Sequence, residues 1–468
     1  MNRTTHNGGT SCRRDSDRGR FEHYREYRQS GDECLGEIPD HWSARRLKHL
    51  LAEPLKYGAN ESAELDDPDL PRFIRITDID DNGSLRPSTF KSLPEEVARP
   101  YLLQDGDLLY ARSGATVGKT FLYRSTLGLA AYAGYLIRAR FRADAILPRF
   151  VYYFNQSDQY WNWLNSIFIQ ATIQNVSAEK YAGLVVPFPP LPEQRGIVDF
   201  LDRETARIDA LVTKKRRLIE LLEEKRTALI SHAVTKGLDP NAPTKPSGVE
   251  WFDDIPRHWT VKPLKHVVPK ITVGIVITPA KFYEQEGVPC LRSLNISSQR
   301  IDKLGELVFI SSEANVLHRK SIIREGDIVI VRTGRTGAAA LVTQDFDGAN
   351  CVDLVIVRRS EQGSPPYLHY YINSLPATRQ VEALSVGSLQ AHYNTRTVGD
   401  LVVPLPPKEE QHRILDYLKR TTGHLERLAG HVQAAIDQLQ EYRTALISAA
   451  VTGKIDVRGH TKEAASCP

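Results

Sequence analysis

The apolar positions of this chain fall in the same order twice. From Leu184 it runs LVVPFPPLPEQRGIVDFLDRETARIDALVTKKRRLIELLEEKRTALIS. From Leu401 it runs LVVPLPPKEEQHRILDYLKRTTGHLERLAGHVQAAIDQLQEYRTALIS, displaced by 217 residues (401 − 184) without a gap. Each copy opens on a short apolar run that predicts a strand. It breaks at Pro187-Phe-Pro-Pro190 or Pro404-Leu-Pro-Pro407 and continues as a long helical pattern. Proline bars both helix interior and central strand, so strand and helix are set apart. Pro192-Glu193-Gln194 suits a first helical turn, with proline at the opening and a carboxylate at the positive end of the dipole. The second copy keeps Glu409 and Glu410 there without that proline.

Both helical patterns carry a seam. In the second copy Ile414, Leu418, Thr421, Leu425, Leu428, Val432, Ala435, Leu439, Tyr442 and Leu446 alternate four and three apart. In the first, Ile197, Leu201, Ile208, Leu211, Leu218, Leu222 and Leu229 take the equivalent places, interrupted by Glu204, Lys215 and Lys225. This spacing predicts coiled-coil packing, and one such helix alone leaves its stripe wet. Two stripes are covered most economically by each other; the other arrangement packs each helix on its own globular half. A helix of roughly 40 residues is about 60 Å long. The connecting Lys236–Glu250, with Pro240, Pro243, Pro246 and Gly248, reaches about 50 Å at most. Paired helices would therefore run antiparallel, with the two globular halves at opposite ends of a rod.

The duplication extends upstream. Ser30-Gly-Asp-Glu-Cys-Leu-Gly-Glu-Ile-Pro-Asp-His-Trp42 matches Ser247-Gly-Val-Glu-Trp-Phe-Asp-Asp-Ile-Pro-Arg-His-Trp259 at the same displacement of 217. His41 and His258 lack a neighbouring acid or nucleophile in sequence and suit a structural Pro-x-His-Trp turn. Phe73–Ile79 corresponds to Cys290–Ile296, which places Arg75 opposite Arg292 and Asp78 opposite Asn295. Gly106-Asp-Leu-Leu-Tyr-Ala-Arg112-Ser-Gly114 corresponds to Gly326-Asp-Ile-Val-Ile-Val-Arg332-Thr-Gly334, each read as a strand entered from a turn. Further strands are expected over Tyr135–Phe141 and Val352–Arg358, and helices near Pro148–Asn165 and Pro366–Leu384. Each half is thus α+β, of about 150 residues. The mixed-charge residues 1–29 predict disorder, and the tail after Lys454 is short and polar.

Composition narrows the class. The 468 residues exceed one core and point to two or three domains. Apolar residues make up 41% and charged residues 25%, and no apolar run approaches the length of a membrane span. Neither a hydrophobic signal core nor a CxxC pair occurs among the five scattered cysteines, which fits a reducing cytoplasm without a zinc site. The net charge of +4 permits nucleic-acid binding without requiring it.

Catalytic motifs fail on inspection. Ser113-Gly-Ala-Thr-Val-Gly-Lys-Thr120 is one residue too short between glycines for a phosphate loop, and Gly334-Arg-Thr-Gly-Ala-Ala lacks the lysine. Ser364-Pro-Pro-Tyr367 resembles an amino-methyltransferase element, but its repeat partner Ile146-Leu-Pro-Arg149 does not, and a loop entering a helix explains it. No spaced carboxylate–lysine set stands out as a nuclease, a motif too loosely spaced for sequence to decide. The remaining chemistry is recognition. Arg75, Arg112 and Lys119 are available in the first half, and Arg292, Arg332 and Arg335 in the second. A polar stretch before each proline break holds Gln170, Thr172, Gln174, Asn175 and Ser177, against Ser388, Gln390, His392 and Asn394. Arg and Lys suit guanine edges and phosphates, Gln and Asn adenine edges. Any one of these also suits a solvated loop; as sets that differ between matched halves they suit two readers of different sequences.

The paired Ile-Pro-x-His-Trp openings, the Gly-Asp-x-x-x-x-Arg-x-Gly strands, the Val-Pro-x-Pro-Pro-x-x-Glu-Gln entries and the Arg-Thr-Ala-Leu-Ile-Ser helix ends occur in duplicate and in order. In this the chain resembles the specificity subunit of type I restriction–modification systems, from Ser30 to about Val457. The resemblance implies two pseudo-repeated α+β target recognition domains, at 30–190 and 251–407. They are separated by two long helices, 191–235 and 408–453, forming an antiparallel coiled coil. The extension 1–29, linker 236–250 and polar tail 454–468 complete the chain. It further implies a non-catalytic subunit that binds double-stranded DNA, each domain reading half of a bipartite site. The helices fix the spacer and dock two methyltransferase subunits, and two restriction subunits complete the nuclease. S-adenosylmethionine, ATP and magnesium would belong to those partners, with no cofactor, metal or catalytic residue in this chain. Two rivals are a stand-alone methyltransferase or nuclease, and a coiled-coil tether with no DNA role.

Overall fold

The Gly-Asp strands lie inside a four-stranded antiparallel sheet in each half. The computed structural model describes residues 21–80, 83–114, 116–169, 175–276, 279–297, 299–332, 337–384 and 393–461. In the first half, β1 (Lys56–Tyr57), β2 (Leu108–Ala111), β3 (Thr120–Leu122) and β4 (Leu136–Ala139) assemble in the order β1-β4-β2-β3. In the second, β5 (Ile271–Val273), β6 (Ile328–Val331), β7 (Ala339–Leu341) and β8 (Leu354–Val357) take the equivalent order β5-β8-β6-β7. Registers correspond: Ala111 faces Leu136, and Val331 faces Leu354. Side chains alternate between sheet faces. Ile328 and Ile330 join Trp259, Tyr367 and Ile414 in one core cluster, and Val329 and Val331 join Leu291 and Cys351 in another. With both faces covered, the strand reads as an unbroken apolar run.

The Gly-Asp pair sets up each sheet. Gly106 and Gly326 turn at φ +85° and +86°, in the region that favours glycine. The buried Asp107 carboxylate accepts from Arg140 at 2.6 and 2.8 Å. Asp327 accepts from Arg358 at 2.6 Å and from the Arg359 N–H at 3.0 Å. Each aspartate thus ties the entry of one strand to the exit of its antiparallel neighbour.

Where one helix is expected after each sheet, two form. Pro148–Phe154 is followed by Asp158–Ile169, and Pro365–Ile372 by Leu375–Leu384. Ser157 and Ser374 interrupt them, each hydroxyl donating to the carbonyl three residues back at 2.6 Å. Pro376 further prevents a continuous second helix.

Two helices dominate the remainder: α1 (Leu191–Lys236) of 46 residues and α2 (Lys408–Val451) of 44. One series of covered positions on α1 runs through Leu201, Thr205, Ile208, Val212, Lys215, Ile219, Leu222, Arg226, Leu229 and Ala233. On α2 the matching series is Leu418, Thr422, Leu425, Ala429, Val432, Ile436, Leu439, Arg443, Leu446 and Ala450, the same places displaced by 217. This corrects the predicted seam at six positions: Leu211, Leu218, Thr421, Leu428, Ala435 and Tyr442 each give way to the next residue along. Leu211, Leu218 and Leu428 are exposed by 40%, 41% and 38%, and Val212, Ile219 and Ala429 are covered instead. The covered path keeps a strict four–three alternation only by accepting polar Thr205, Lys215 and Arg226. The Thr205 and Thr422 hydroxyls make this tolerable by donating to the carbonyls of Leu201 and Leu418, at 2.6 and 2.8 Å.

The chain separates into two compact units, Met1–Lys214 with Ala435–Pro468, and Lys215–Ala434. Each unit therefore contains part of both long helices. In the first, Arg443 on α2 donates to Asp209 on α1 at 3.1 Å. In the second, Arg226 on α1 lies 3.6 Å from Glu426 on α2. The four residues are one contact repeated at the displacement of 217.

The Glu-Gln pair at each helix start joins helix to globular part. Gln194 is buried; it accepts from the Leu147 N–H at 2.8 Å and donates to the Pro189 carbonyl at 2.8 Å. Gln411 repeats this with the Ser364 N–H at 2.8 Å and the Pro406 carbonyl at 3.0 Å. Glu193 and Glu410 meet the imidazoles of His41 and His258 at 2.9 and 2.6 Å. Gln194→Ala leaves a buried N–H and C=O unpaired and is expected to cost about 1–3 kcal/mol, read as a lowered denaturation midpoint of the whole chain.

Disorder over 1–29 does not hold for residues 21–29. Tyr27–Gln29 pairs with Glu37–Pro39, and the Tyr24 hydroxyl donates to Glu193 at 2.5 Å. The chain just beyond α2 packs beside it: Val457 is fully buried, Glu22 bridges Asp456, and the Tyr27 hydroxyl donates to the Gly453 carbonyl at 3.0 Å. The reason lies in apolar spacing that the local charge conceals, with Phe21, Tyr24 and Tyr27 three apart. The linker segment Thr244–Lys245 makes the corresponding pairing with Ile255–Pro256 in the second unit.

Candidate nucleic-acid interface

In an antiparallel sheet the exits of two strands lie beside the entries of their neighbours. Tyr57 at the exit of β1, Arg112 beyond β2, Lys119 before β3 and Tyr135 before β4 consequently share one end of the first sheet. Asn175 and Val176 lie at this end, where Ser113 bridges Asn175 and the Val176 N–H donates to the Arg112 carbonyl at 2.9 Å. The Arg112 guanidinium sits 4.6 Å from the Tyr57 ring centroid, and its Nε donates to Asn175 Oδ1 at 3.4 Å. Tyr135 is 64% exposed beside them. A cation stacked on an aromatic face, with a second aromatic exposed, suits phosphate and base contacts. Gly118 is required by packing: a Cβ there would lie 2.2 Å from the Leu164 side chain. Gly118, at φ +86°, thus serves the fold.

The second sheet presents the same end with different chemistry. Arg332 follows β6 as Arg112 follows β2, and Asp353 precedes β8 as Tyr135 precedes β4. Arg332 Nη1 donates to Asp353 Oδ1 at 2.8 Å. Asp353 takes the left-handed φ of +51°, which asparagine and aspartate tolerate best among residues with a Cβ.

The other candidates lie elsewhere. Arg75 organises its own turn, donating to Asp78 at 2.7 and 3.1 Å and to the Thr89 carbonyl at 2.8 Å. Arg292 does the same through the Glu306 carbonyl at 2.7 Å, with Asn295 accepting from its backbone N–H. Asn394 caps the helix Thr395–Asp400 by accepting two N–H groups at 2.9 Å. Gln170, Thr172, Gln174, Arg335, Ser388, Gln390 and His392 lie outside the described residues. Tyr57, Tyr135 and Asp353 were not legible as site residues. Small insertions move the repeat displacement away from 217 there, so their equivalence emerges only through strand register.

Burial pushes the Cys290 thiol up to about 12 and raises that of Cys351 as well, so both are protonated at neutral pH and unsuited to nucleophilic chemistry. Among the described residues no His, Cys, Asp and Glu group is arranged to hold a metal ion, and no helix is long and apolar enough to cross a membrane.

Each sheet end thus carries an arginine at one structural position, Arg112 and Arg332, on a chain with two long matched helices. The family model described as the type I restriction modification DNA specificity domain matches residues 52–221 and again 256–436. The chain belongs to that family, as a specificity subunit. It is 22% identical over 318 residues to the EcoBI specificity subunit of Escherichia coli, covering 65% of each chain. It is 20% identical over 442 residues to the EcoKI specificity subunit of Escherichia coli, covering 90% of each. A solved structure described as showing complex assembly and conformational transition of the type I R-M system superposes with a TM-score of 0.66 at 18% identity, over 88% of this chain and 98% of that one. This likeness establishes the fold alone.

Proposed function

We propose that the chain is the DNA-reading, non-catalytic subunit of a type I restriction–modification complex. Each sheet end reads one half of a bipartite site. The long helices pair as an antiparallel coiled coil, set the spacing between half-sites and dock two methyltransferase subunits, and two restriction subunits complete the nuclease. The observation that carries the reading is a retained arginine at the same place on both sheets, Arg112 and Arg332, among unlike neighbours. Retention suits a shared DNA-contacting task, and the unlike neighbours suit two different target sequences. The antiparallel pairing is supported by the Arg443–Asp209 and Arg226–Glu426 contacts and by covered positions that match between helices. The outward leucines Leu211 and Leu428, equivalent in the two helices, support docking there.

Methylation mapping of a randomised site library by the assembled modification complex tests this. Arg112→Ala is expected to relax preference in one half-site and Arg332→Ala in the other, each by about 5- to 150-fold, the equivalent of one bidentate base contact. Equal loss in both half-sites from either variant rejects the assignment of one reader per unit.

A further inference from the structure

We propose that Arg443 and Arg226 are positioning residues that lock the sheet-bearing part of each unit to the long helices, and so fix which spacer between half-sites the chain accepts. This rests on the reading of the chain as a DNA-recognition subunit with two readers.

Each arginine reaches two partners of different origin. In the first unit Arg443, on α2, donates from Nε to Asp209 on α1 at 3.1 Å and from Nη1 to Gln156 Oε1 at 3.0 Å. Gln156 belongs to the sheet-bearing part, at the break between the helices Pro148–Phe154 and Asp158–Ile169. In the second unit Arg226, on α1, lies 3.6 Å from Glu426 on α2 and donates from Nη2 to Gln299 Oε1 at 2.8 Å. The arginines are equivalent (443 − 226 = 217), and so are the acids (426 − 209 = 217). The glutamines are not. The residue equivalent to Gln156 is Asn373, which donates to the Ala339 carbonyl at 3.0 Å instead. Two unlike recognition parts thus meet a common arginine with side chains from unrelated loops, which marks a task of the arginine rather than a leftover of duplication.

What the arginine holds follows from where it lies. At the start of each long helix the sheet-bearing part is tightly joined: Gln194 and Gln411 bond across to it, and Ile414 and Leu418 share a core with Ile328 and Ile330. Farther along, the first unit has a cleft of about 290 Å³ whose lining includes Leu122, Tyr152, Thr205 and Arg443. The second has one of about 700 Å³ at the equivalent place, with Leu341, His369, Thr422 and Arg226. Where a cleft replaces close packing, orientation falls to the polar ties that cross it. In the first unit Asp202 supplies another such tie, accepting from Arg149 at 2.6 and 2.8 Å and from the Tyr153 hydroxyl at 2.5 Å. The second unit has Lys419 and Pro366 at those places, and Arg300 donates to Glu426 at 2.6 Å.

Distance along the helix sets the leverage. Asp209 lies 15 residues beyond Gln194 (209 − 194), and Glu426 15 beyond Gln411 (426 − 411). That is about 22 Å at the helical rise. One base pair advances DNA by about 3.4 Å. Rocking by about 9° about the helix start therefore carries the far contact through one base-pair step (3.4 over 22). Such a displacement takes a 3.0 Å hydrogen bond well outside bonding distance. Each clamp thus opposes the step with its full strength, and a sheet-bearing part held only at the helix start does not.

The test uses the full chain assembled with its modification subunits. The DNA carries both half-sites at the spacer the parent methylates and at spacers one and two base pairs longer and shorter, read out by methylated-adenine mapping. Arg443→Ala and Gln156→Ala are each expected to raise methylation at the neighbouring spacers by about tenfold relative to the parent's own spacer. That is the factor carried by one hydrogen bond to a charged group. Base preference in both half-sites should stay as in the parent, and Arg226→Ala should act likewise through the second unit. Gln156→Glu keeps an acceptor for Arg443 and should retain the parent's spacing, a rescue that a glutamine needed only for folding would not show. If the alanine variants, at the parent's thermal unfolding midpoint, keep the parent's spacer selectivity or lose methylation at every spacer alike, the positioning role is overturned. A parent confined to one bipartite site leaves the DNA-reading subunit in place in that case. If the parent methylates either half-site without the other, the reading with two coupled readers falls and the inference with it. Gln156→Ala leaves the Arg443–Asp209 pair intact and carries the test should Arg443→Ala fold poorly.

Discussion

Leu425→Asp is expected to eliminate cooperative unfolding of the chain and its assembly into any larger complex. Leu425 is 6% exposed on α2, between Thr422 and Ala429 on the covered path. Truncating a buried leucine costs about 2–5 kcal/mol through lost transfer energy and the cavity left behind. An unpaired carboxylate adds a desolvation penalty of several kcal/mol unless it takes up a proton. A domain is held by only about 5–15 kcal/mol in all, so the two losses together are comparable with the whole. Far-ultraviolet circular dichroism through a denaturant titration, with light scattering of the assembled complex, checks this. A chain that unfolds with the parent's midpoint would show that Leu425 is not in an apolar seam.

Substitution of Leu211 and Leu428 together by aspartate should have the opposite signature. Both are outward on their helices, and such exposed changes cost within about 0.5 kcal/mol. Scattered exposed leucines call for no explanation. These two, however, recur at the same register 217 residues apart. We expect the double variant to fold with the parent's midpoint and to lose association with the modification subunits by more than about tenfold, the equivalent of about 1.4 kcal/mol. Retained association on light scattering would move the docking surface off this face. Comparing Leu425 with Leu428, three residues apart, separates holding the helices in place from holding a partner.

The duplication, the long helices and the sheet strands were readable because they rest on period and on proline. The helix seam was read one position away over part of its length. Hydrophobicity favoured Leu211 and Leu218, whereas the covered path runs through Lys215 and through Thr205 and Arg226, which meet the Leu201 carbonyl and Glu426. Residues 21–29 looked too charged to order; their aromatic rings and a strand pairing with Glu37–Pro39 outweigh that composition. At the site, Arg112 and Arg332 stood out because the Gly-Asp motif fixes their distance from a turn. Tyr135 and Asp353 did not, since what makes them neighbours of those arginines is an antiparallel pairing across more than 20 residues.

The first unit draws on both ends of the chain, because Ala435–Pro468 belongs with Met1–Lys214, whereas Lys215–Ala434 is continuous. On a ribosome adding about 5–20 residues per second, the half translated first waits about 12–49 s for the missing part of α2 and for Val457 (457 − 214 = 243 residues). The half translated second can close as soon as it has emerged. A truncation late in the gene therefore damages the earliest-made reader and spares the later one, reversing the usual polarity of nonsense mutations.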